Sequence, residues 1–355
     1  MAAFYEIDRI LAEKTRVEGP QAGAGSPDGE LVLPSRRVRD IPATESVGWL
    51  CEGILAVGEV TLLASRPKVG KSTLARNLAA CVLEGRPFLG RETGRGPVLL
   101  ANADEARGWV RECFVRLGAA EHPDLYAVDL PLPPGTPALT PESLFDTAKD
   151  AGARLVVVDT LRRCFHVKDM NDYGQVVDLM GRIQEGAREA ECAVLVLHHT
   201  TKRAGEHEDH SIGVMGSQGL FGTASILATL SRDERGAWLQ TEGRYGRNLP
   251  KTLLEFDEDS MRFRAAGTEG EIRETERRQR VRETAERVLE IVRSSPGISH
   301  ADLIAETGGS TILCVEAIRE LLSAGRIARD GQGRKGSPFT YRATEAGDDP
   351  DGLFE

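Results

Sequence analysis

An α/β fold with a mostly parallel sheet, followed by a smaller helical domain, is what this sequence predicts, and three observations carry the prediction. Short apolar runs at 60–64, 97–101, 154–158 and 193–197 alternate with stretches of helical periodicity such as Glu105–Leu117 and Tyr173–Ala190. Strands that alternate with helices pack as a parallel sheet covered on both faces. A loop ending in Gly70-Lys71-Ser72 joins the first run to a helix over Thr73–Val82, where Leu74, Leu78 and Val82 share one face. After about Ala266 the pattern changes to a densely charged stretch and then a compact segment with helical spacing.

Bulk properties bound the reading. The chain has 355 residues and a net charge of −10, which argues against a generally basic nucleic-acid coat but leaves room for a local basic surface. No apolar run approaches the roughly 18 residues of a membrane span. The segment Met1–Asp8 lacks a basic region followed by an apolar stretch, so no secretory signal is predicted. The six cysteines (Cys51, Cys81, Cys113, Cys164, Cys192, Cys314) include no CxxC pair, which fits buried thiols in a reducing, cytoplasmic setting.

Taken in order, residues 1–18 carry Phe4, Ile7, Ile10 and Leu11 on one helical face, and 21–30 is a linker rich in Gly, Ala, Ser and Pro, so 1–44 forms an N-terminal helix and flexible linker. Residues 45–265 hold the α/β domain, with further strands at Ala224–Leu230, Ala237–Thr241 and Leu253–Phe256. Residues 266–283 read as a charged, solvated linker helix, 284–343 as the compact C-terminal domain, and 344–355 as an acidic disordered tail.

The chemistry concentrates at strand ends. The loop Ser65-Arg66-Pro67-Lys68-Val69-Gly70-Lys71-Ser72, continuing into Thr73, is a phosphate-cradling loop in the strand–loop–helix context that such a motif needs, with Ser65 in place of its first glycine. Its backbone N–H groups and the helix N-terminus suit a di- or triphosphate. Lys71 can reach the β/γ-phosphates, and Ser72 can set its hydroxyl on magnesium. Asp159 ends the third run, where a carboxylate either holds the same metal or caps the next segment. Asp104 and Glu105 follow the second run, and either one is a candidate to orient water as general base or to sit at a helix N-terminus. His198 and His199 follow the fourth run, where a polar residue can report the γ-phosphate; a zinc alternative adds His207 and His210. Arg244 follows a strand and could reach a γ-phosphate from a neighbouring subunit, or be a solvated turn arginine.

Together these elements resemble the RecA-like hexameric ATPases, and most closely the RepA-type plasmid and phage ATPases related to DnaB-type helicases. The matching stretches are Pro67–Thr73, Leu155–Arg163, Leu195–Lys202, Gly216–Ala224 and Glu242-Gly243-Arg244, across roughly residues 45–260. The resemblance implies ATP and Mg²⁺ as cofactors, with Lys71 and Ser72 on phosphate and metal and Asp159 as the second metal carboxylate. It sets Asp104 at the position of the family's catalytic glutamate, with Glu105 beside it, His199 at its γ-phosphate sensor and Arg244 at its arginine finger. It also implies a homo-oligomeric ring, a hexamer, with sites between subunits. The loop Lys202–Ser217 would then face the channel and single-stranded DNA, although it carries Glu206, Glu208 and Asp209 beside Lys202 and Arg203.

In the C-terminal domain, helices at Thr284–Ser294, from Ser299 to about Gly308, and at Thr311–Ala324 precede a glycine-rich basic hairpin at 326–342, which looks like a winged helix-turn-helix. Arg319, Arg326, Arg329, Arg334, Lys335 and Arg342 are its candidate phosphate contacts for duplex DNA. The expected function is a Mg²⁺-dependent ATPase, without membrane partners, that couples hydrolysis to DNA binding or unwinding in plasmid, phage or mobile-element replication. The alternatives are an ATP-switched DNA-binding regulator with little turnover, and a ring ATPase acting on protein.

Overall fold

The computed structural model describes residues 37–41, 47–170, 172–200 and 218–344. The predicted N-terminal helix, the channel loop Lys202–Ser217 with His207 and His210, and the acidic tail lie outside the described residues. Contacts divide the chain into two units, with the boundary between Thr268 and Glu269.

The first unit is built on a nine-stranded sheet. Its strands β3 (Val60–Ser65), β4 (Val98–Asn102), β5 (Leu125–Ala127), β6 (Leu155–Asp159), β7 (Ala193–His199) and β8 (Ile226–Asp233) run parallel in the order β8-β3-β7-β6-β4-β5. Beyond β8 the sheet continues antiparallel through β9 (Gly236–Gly243), β10 (Thr252–Asp257) and β11 (Arg262–Thr268). A small ribbon of β1 (Trp49–Cys51) and β2 (Leu55–Ala56) precedes them. The sequence predicts neither this ribbon nor β5 and β11, whose short length or exposed polar residues leave no apolar run.

The central strands are apolar on both faces because both faces are covered. Leu155 and Val157 of β6 pack in one core with helices α1 (Lys71–Glu84) and α2 (Arg107–Leu117). Val156 and Val158 pack in the other with α3 (Pro141–Asp150) and α5 (Tyr173–Glu189). The same alternation of period two splits Leu62 from Leu63 and Val194 from Leu195. Helix α3 starts on a capping box between Thr140 and Ser143 with Pro141 in its first turn, and α5 starts where Asp172 caps the Gln175 N–H. Gly186 lets α5 lie against the buried Phe145 ring of α3, since a Cβ there would sit 2.1 Å from the ring's Cδ2. A single helical turn, α4 (Leu161–Cys164), and a short helix, α6 (Gln218–Thr223), complete the unit.

In the second unit α7 (Glu269–Ser294) is one continuous helix, so the expected break between a charged linker and a first domain helix is absent. No glycine or proline interrupts it between Gly270 and Ser294, and pairs such as Arg273–Glu269 and Arg278–Glu274 support its exposed start. Burial begins at Val281 and continues through Ala285, Val288, Leu289 and Val292. These pack with Leu303 of α8 (His300–Thr307) and with Cys314, Ala317, Ile318 and Leu321 of α9 (Thr311–Ser323). Ser299 caps α8 as the sequence predicts. Strands β12 (Ile298–Ser299), β14 (Thr340–Ala343) and β13 (Ile327–Asp330) form an antiparallel sheet in that order. Among the predicted phosphate contacts, Arg319, Arg329, Arg334, Lys335 and Arg342 are exposed. Arg326 is not available: it is buried, one residue before Ile327 enters the core.

Candidate active site

Strand register alone gathers the predicted residues. Ser65 at the end of β3 lies opposite His199 of β7, and Asn102 at the end of β4 lies opposite Asp159 of β6. Residues at the carboxyl ends of parallel strands border the crevice where ligands bind in such sheets.

The loop from Arg66 to Gly70 turns through two left-handed positions, Lys68 at φ 65° and Gly70 at φ 110°. The second strongly favours glycine. Gly70 precedes α1 without any side-chain cap, so the N–H groups of the first turn are left for an anion. Arg66, Pro67 and Lys68 are exposed, Val69, Gly70, Ser72 and Thr73 are half-buried, and Lys71 is buried. Ser65, where the motif's first glycine is missing, has a use the sequence did not disclose. Its Oγ accepts a hydrogen bond from Lys71 Nζ at 3.1 Å and donates to the Arg66 carbonyl at 2.7 Å.

Lys71 Nζ also lies 3.0 Å from His199 Nδ1. An ammonium only donates, so Nδ1 accepts and the imidazole proton sits on Nε2, which faces Asp104 Oδ2 at 3.8 Å. Burial and the neighbouring Lys71 hold the His199 pKa below its ordinary value, against the pull of Asp104 and Asp159. Burial lowers Lys71 to about 8, with Asp159 and Asp104 opposing the fall. The other oxygen of Asp104, Oδ1, pairs with Arg163 Nε of α4 at 2.5 Å.

The two candidate acids separate in their partners. Glu105 pairs with Arg76, a buried arginine of α1 whose Nη1 also donates to Cys113 Sγ at 3.4 Å. Asp104 faces the Lys71–His199 pair instead. Neither belongs to a helix: both precede α2, whose first turn holds no acid, and the Asn102 carboxamide accepts their N–H groups at 3.0 and 3.1 Å. On Asp159, burial raises the pKa, while a hydrogen bond from Ser72 and the charge of Arg76 act against it. Asp159 does not cap the following turn, whose N-cap is Thr160.

Ser72 and Asp159 offer one hydroxyl and one carboxylate within hydrogen-bond reach of each other. This pair of hard oxygen donors fits a magnesium ion whose remaining ligands are water and phosphate. The charges in the crevice balance, Lys71, Arg76 and Arg163 against Asp104, Glu105 and Asp159. A triphosphate entering it therefore brings uncompensated negative charge, which a divalent cation and the exposed Arg66 and Lys68 can offset.

His198, one residue before His199 on β7, is half-buried. Burial, His199 and Lys71 lower its pKa to about 4. It folds neutral, whereas the unfolded chain takes up a proton near pH 6.5. Stability linked to His198 is therefore fully present above pH 6.5 and is lost as pH falls toward 4, by about 3 kcal/mol. Denaturant unfolding from pH 7.5 to 4 will show this slope, and His198→Gln will flatten it.

Arg244 does not join the cluster. Gly243 pairs with Ile226 and Arg244 N donates to Ser225 O at 3.2 Å, while Ser225 N donates to Val60 O at 3.0 Å. This sets Arg244 at the amino end of β3, about 16 Å along the strand from Ser65. It is exposed, and its Nη2 donates to Gly222 O of α6 at 2.7 Å.

Residues 30–205 of the chain match the family described as an AAA domain. The match spans Lys71, Asp104, Asp159 and His199 and ends before Arg244. Among solved structures, one that resembles the chain is of a DnaB-like replicative helicase and its interactions with primase, at 14% identity and a TM-score of 0.49. The alignment covers 62% of this chain and 62% of that one. Among the described residues no helix is long and apolar enough to cross a membrane.

Proposed function

We propose that this protein is a magnesium-dependent ATPase of the RecA-like, RepA-related kind, working as a cytoplasmic homo-oligomeric ring on DNA in plasmid, phage or mobile-element replication. The observation that carries the proposal is the chain of contacts Lys71–His199–Asp104 beside the Ser72–Asp159 pair, at the end of the strand that leads into the phosphate loop. The match to an AAA domain supports nucleotide hydrolysis as its use.

In this reading the loop Arg66–Gly70 and the first turn of α1 wrap the phosphates, and Lys71 neutralises the β/γ-phosphates. Ser72 and Asp159 would hold magnesium, which would supply charge stabilisation to the phosphates when bound. Asp104 accepts the proton of the attacking water, and His199, with its proton on Nε2, donates a hydrogen bond toward the terminal phosphate. Arg244 serves a neighbour's site, because within its own subunit it lies at the amino ends of β3 and β8, opposite to the phosphate loop. For the second unit, three helices with an antiparallel sheet, one strand between the first two helices and a hairpin after the third, fit a winged helix that binds duplex DNA. Glu316 of α9, an acid that would repel phosphate, is held by Arg277 through two bonds of 2.8 Å.

ATP turnover measured with and without single-stranded DNA, together with strand displacement, tests the function. DNA-stimulated turnover is the expected result. Tight duplex binding without turnover would instead establish the ATP-switched regulator. Mixing wild-type and Arg244→Ala subunits will lower turnover more than in proportion to the variant added; strict proportionality would remove Arg244 from the neighbour's site.

A further inference from the structure

We propose that Arg163 binds the terminal phosphate of the nucleotide within its own subunit, exchanging Asp104 for that phosphate, so that arrival of a triphosphate itself frees the general base. The proposal rests on the ATPase reading and names a further residue of the same site.

Its position is set by the fold. Arg163 lies on α4, the single turn that follows β6, four residues after Asp159. Leu161 and Cys164 of this turn are buried, and Cys164 Sγ lies 3.3 Å from Ala101 O, so the backbone under Arg163 is fixed. The side chain itself is 65% exposed and can swing. It meets Asp104 through Nε, and among the described residues no other hydrogen bond of its guanidinium is present. From Arg163 the contacts run to Asp104 at 2.5 Å, from Asp104 to His199 at 3.8 Å, and from His199 to Lys71 at 3.0 Å. Arg163 therefore stands two side chains from the lysine that addresses the terminal phosphates.

The chemistry follows from that placement. While Arg163 sits on Asp104, its guanidinium occupies Oδ1, and Oδ2 faces His199, so the carboxylate is engaged by its partners rather than open to a water. A terminal phosphate offers three oxygens and more negative charge than a carboxylate, and a guanidinium matches two of those oxygens at once. A triphosphate draws Arg163 away, whereas a diphosphate, ending short of this point, leaves the pair intact. With Asp104 released, the water oxygen bonds to the γ-phosphorus as the bond from that phosphorus to the β,γ-bridging oxygen breaks. The electron pair leaves with the diphosphate, and the water proton goes to Asp104. Arg244, at the amino ends of β3 and β8, cannot do this within one subunit.

The test uses the full chain and four proteins: wild type, Arg163→Ala, Arg163→Gln and the adjacent exposed Arg162→Ala as control. Equilibrium binding of ADP and of a non-hydrolysable ATP analogue is measured alongside kcat and KM. In both Arg163 variants the preference for the analogue over ADP falls by about tenfold with ADP affinity unchanged. Their kcat falls on the order of 10²-fold. The control changes neither by more than about twofold. An unchanged analogue-to-ADP ratio in the Arg163 variants overturns the proposal. So does a rise in their kcat, which would make Arg163 only a restraint on Asp104. Failure of the wild type to bind either nucleotide overturns the ATPase reading instead, and the two failures are distinct. Because the side chain is exposed, the variants keep the wild-type melting temperature; if Arg163→Ala does not fold, Arg163→Gln carries the measurement.

Discussion

Lys71→Ala abolishes ATP hydrolysis, with turnover falling at least roughly 10³-fold, and weakens binding of a triphosphate while leaving the fold intact. The size of the effect comes from the position of this one ammonium. It is buried, it is held between Ser65 Oγ and His199 Nδ1, and its charge is opposed by burial and supported by Asp159 and Asp104. A methyl group in its place removes the cation that faces the phosphates and also the donor that fixes the tautomer of His199. Two elements of the site fail together, so Lys71→Ala and His199→Ala will be strongly non-additive in a double-mutant cycle. Turnover by phosphate release, with thermal unfolding as the control for folding, checks the result. Wild-type turnover in Lys71→Ala would remove the assignment of the whole site.

The second large effect separates two adjacent acids. Asp104→Asn lowers turnover by about 10²- to 10⁴-fold and leaves nucleotide binding in place, because an amide cannot take the proton of water. Glu105→Gln acts on stability instead. Arg76 is 4% exposed and has Glu105 as its ion-pair partner, with the charge of Asp159 also acting on it, so removing the Glu105 carboxylate leaves a buried cation only partly compensated, at a cost of about 3 kcal/mol. Phosphate release and denaturant unfolding on both variants check this crossed pattern. If Glu105→Gln retained full stability and lost turnover, the roles of the two acids would be reversed.

Much of this arrangement was legible before any coordinates. The apolar runs marked β3, β4, β6 and β7 to within one or two residues at each end, because strands buried on both faces have few polar positions to blur them. Once those strands run parallel, their carboxyl ends share an edge, and Lys71, Asp104, Asp159 and His199 meet there by topology. What could not be read was which partner each charge takes. Arg76 and Glu105 are 29 positions apart, and Arg163 and Asp104 are 59 apart. Neither pair has a spacing that local structure enforces, and position after the second apolar run left Asp104 and Glu105 equivalent. The continuity of α7 was missed for the opposite reason: a change from charged to amphipathic composition looks like a boundary, but composition ends a helix only where a breaker or a cap stands. Arg326 read as a surface cation for want of any sign that the strand behind it enters the core.

The separation of Arg244 from the phosphate loop by the full length of β3 limits how copies of this chain can associate. One end of the sheet bears the phosphate loop and the other bears the arginine. A dimer with two-fold symmetry meets this requirement only if its subunits lie antiparallel, each arginine against the other's loop, so that both sites are completed at once and the assembly stops at two. Any larger assembly needs heterologous contact, one subunit's arginine at the next subunit's nucleotide, and such contact has a direction. An assembly of more than two subunits built on that contact is therefore polar. It either closes into a cycle, with as many complete sites as subunits, or runs on as a filament with one unfinished site at its end.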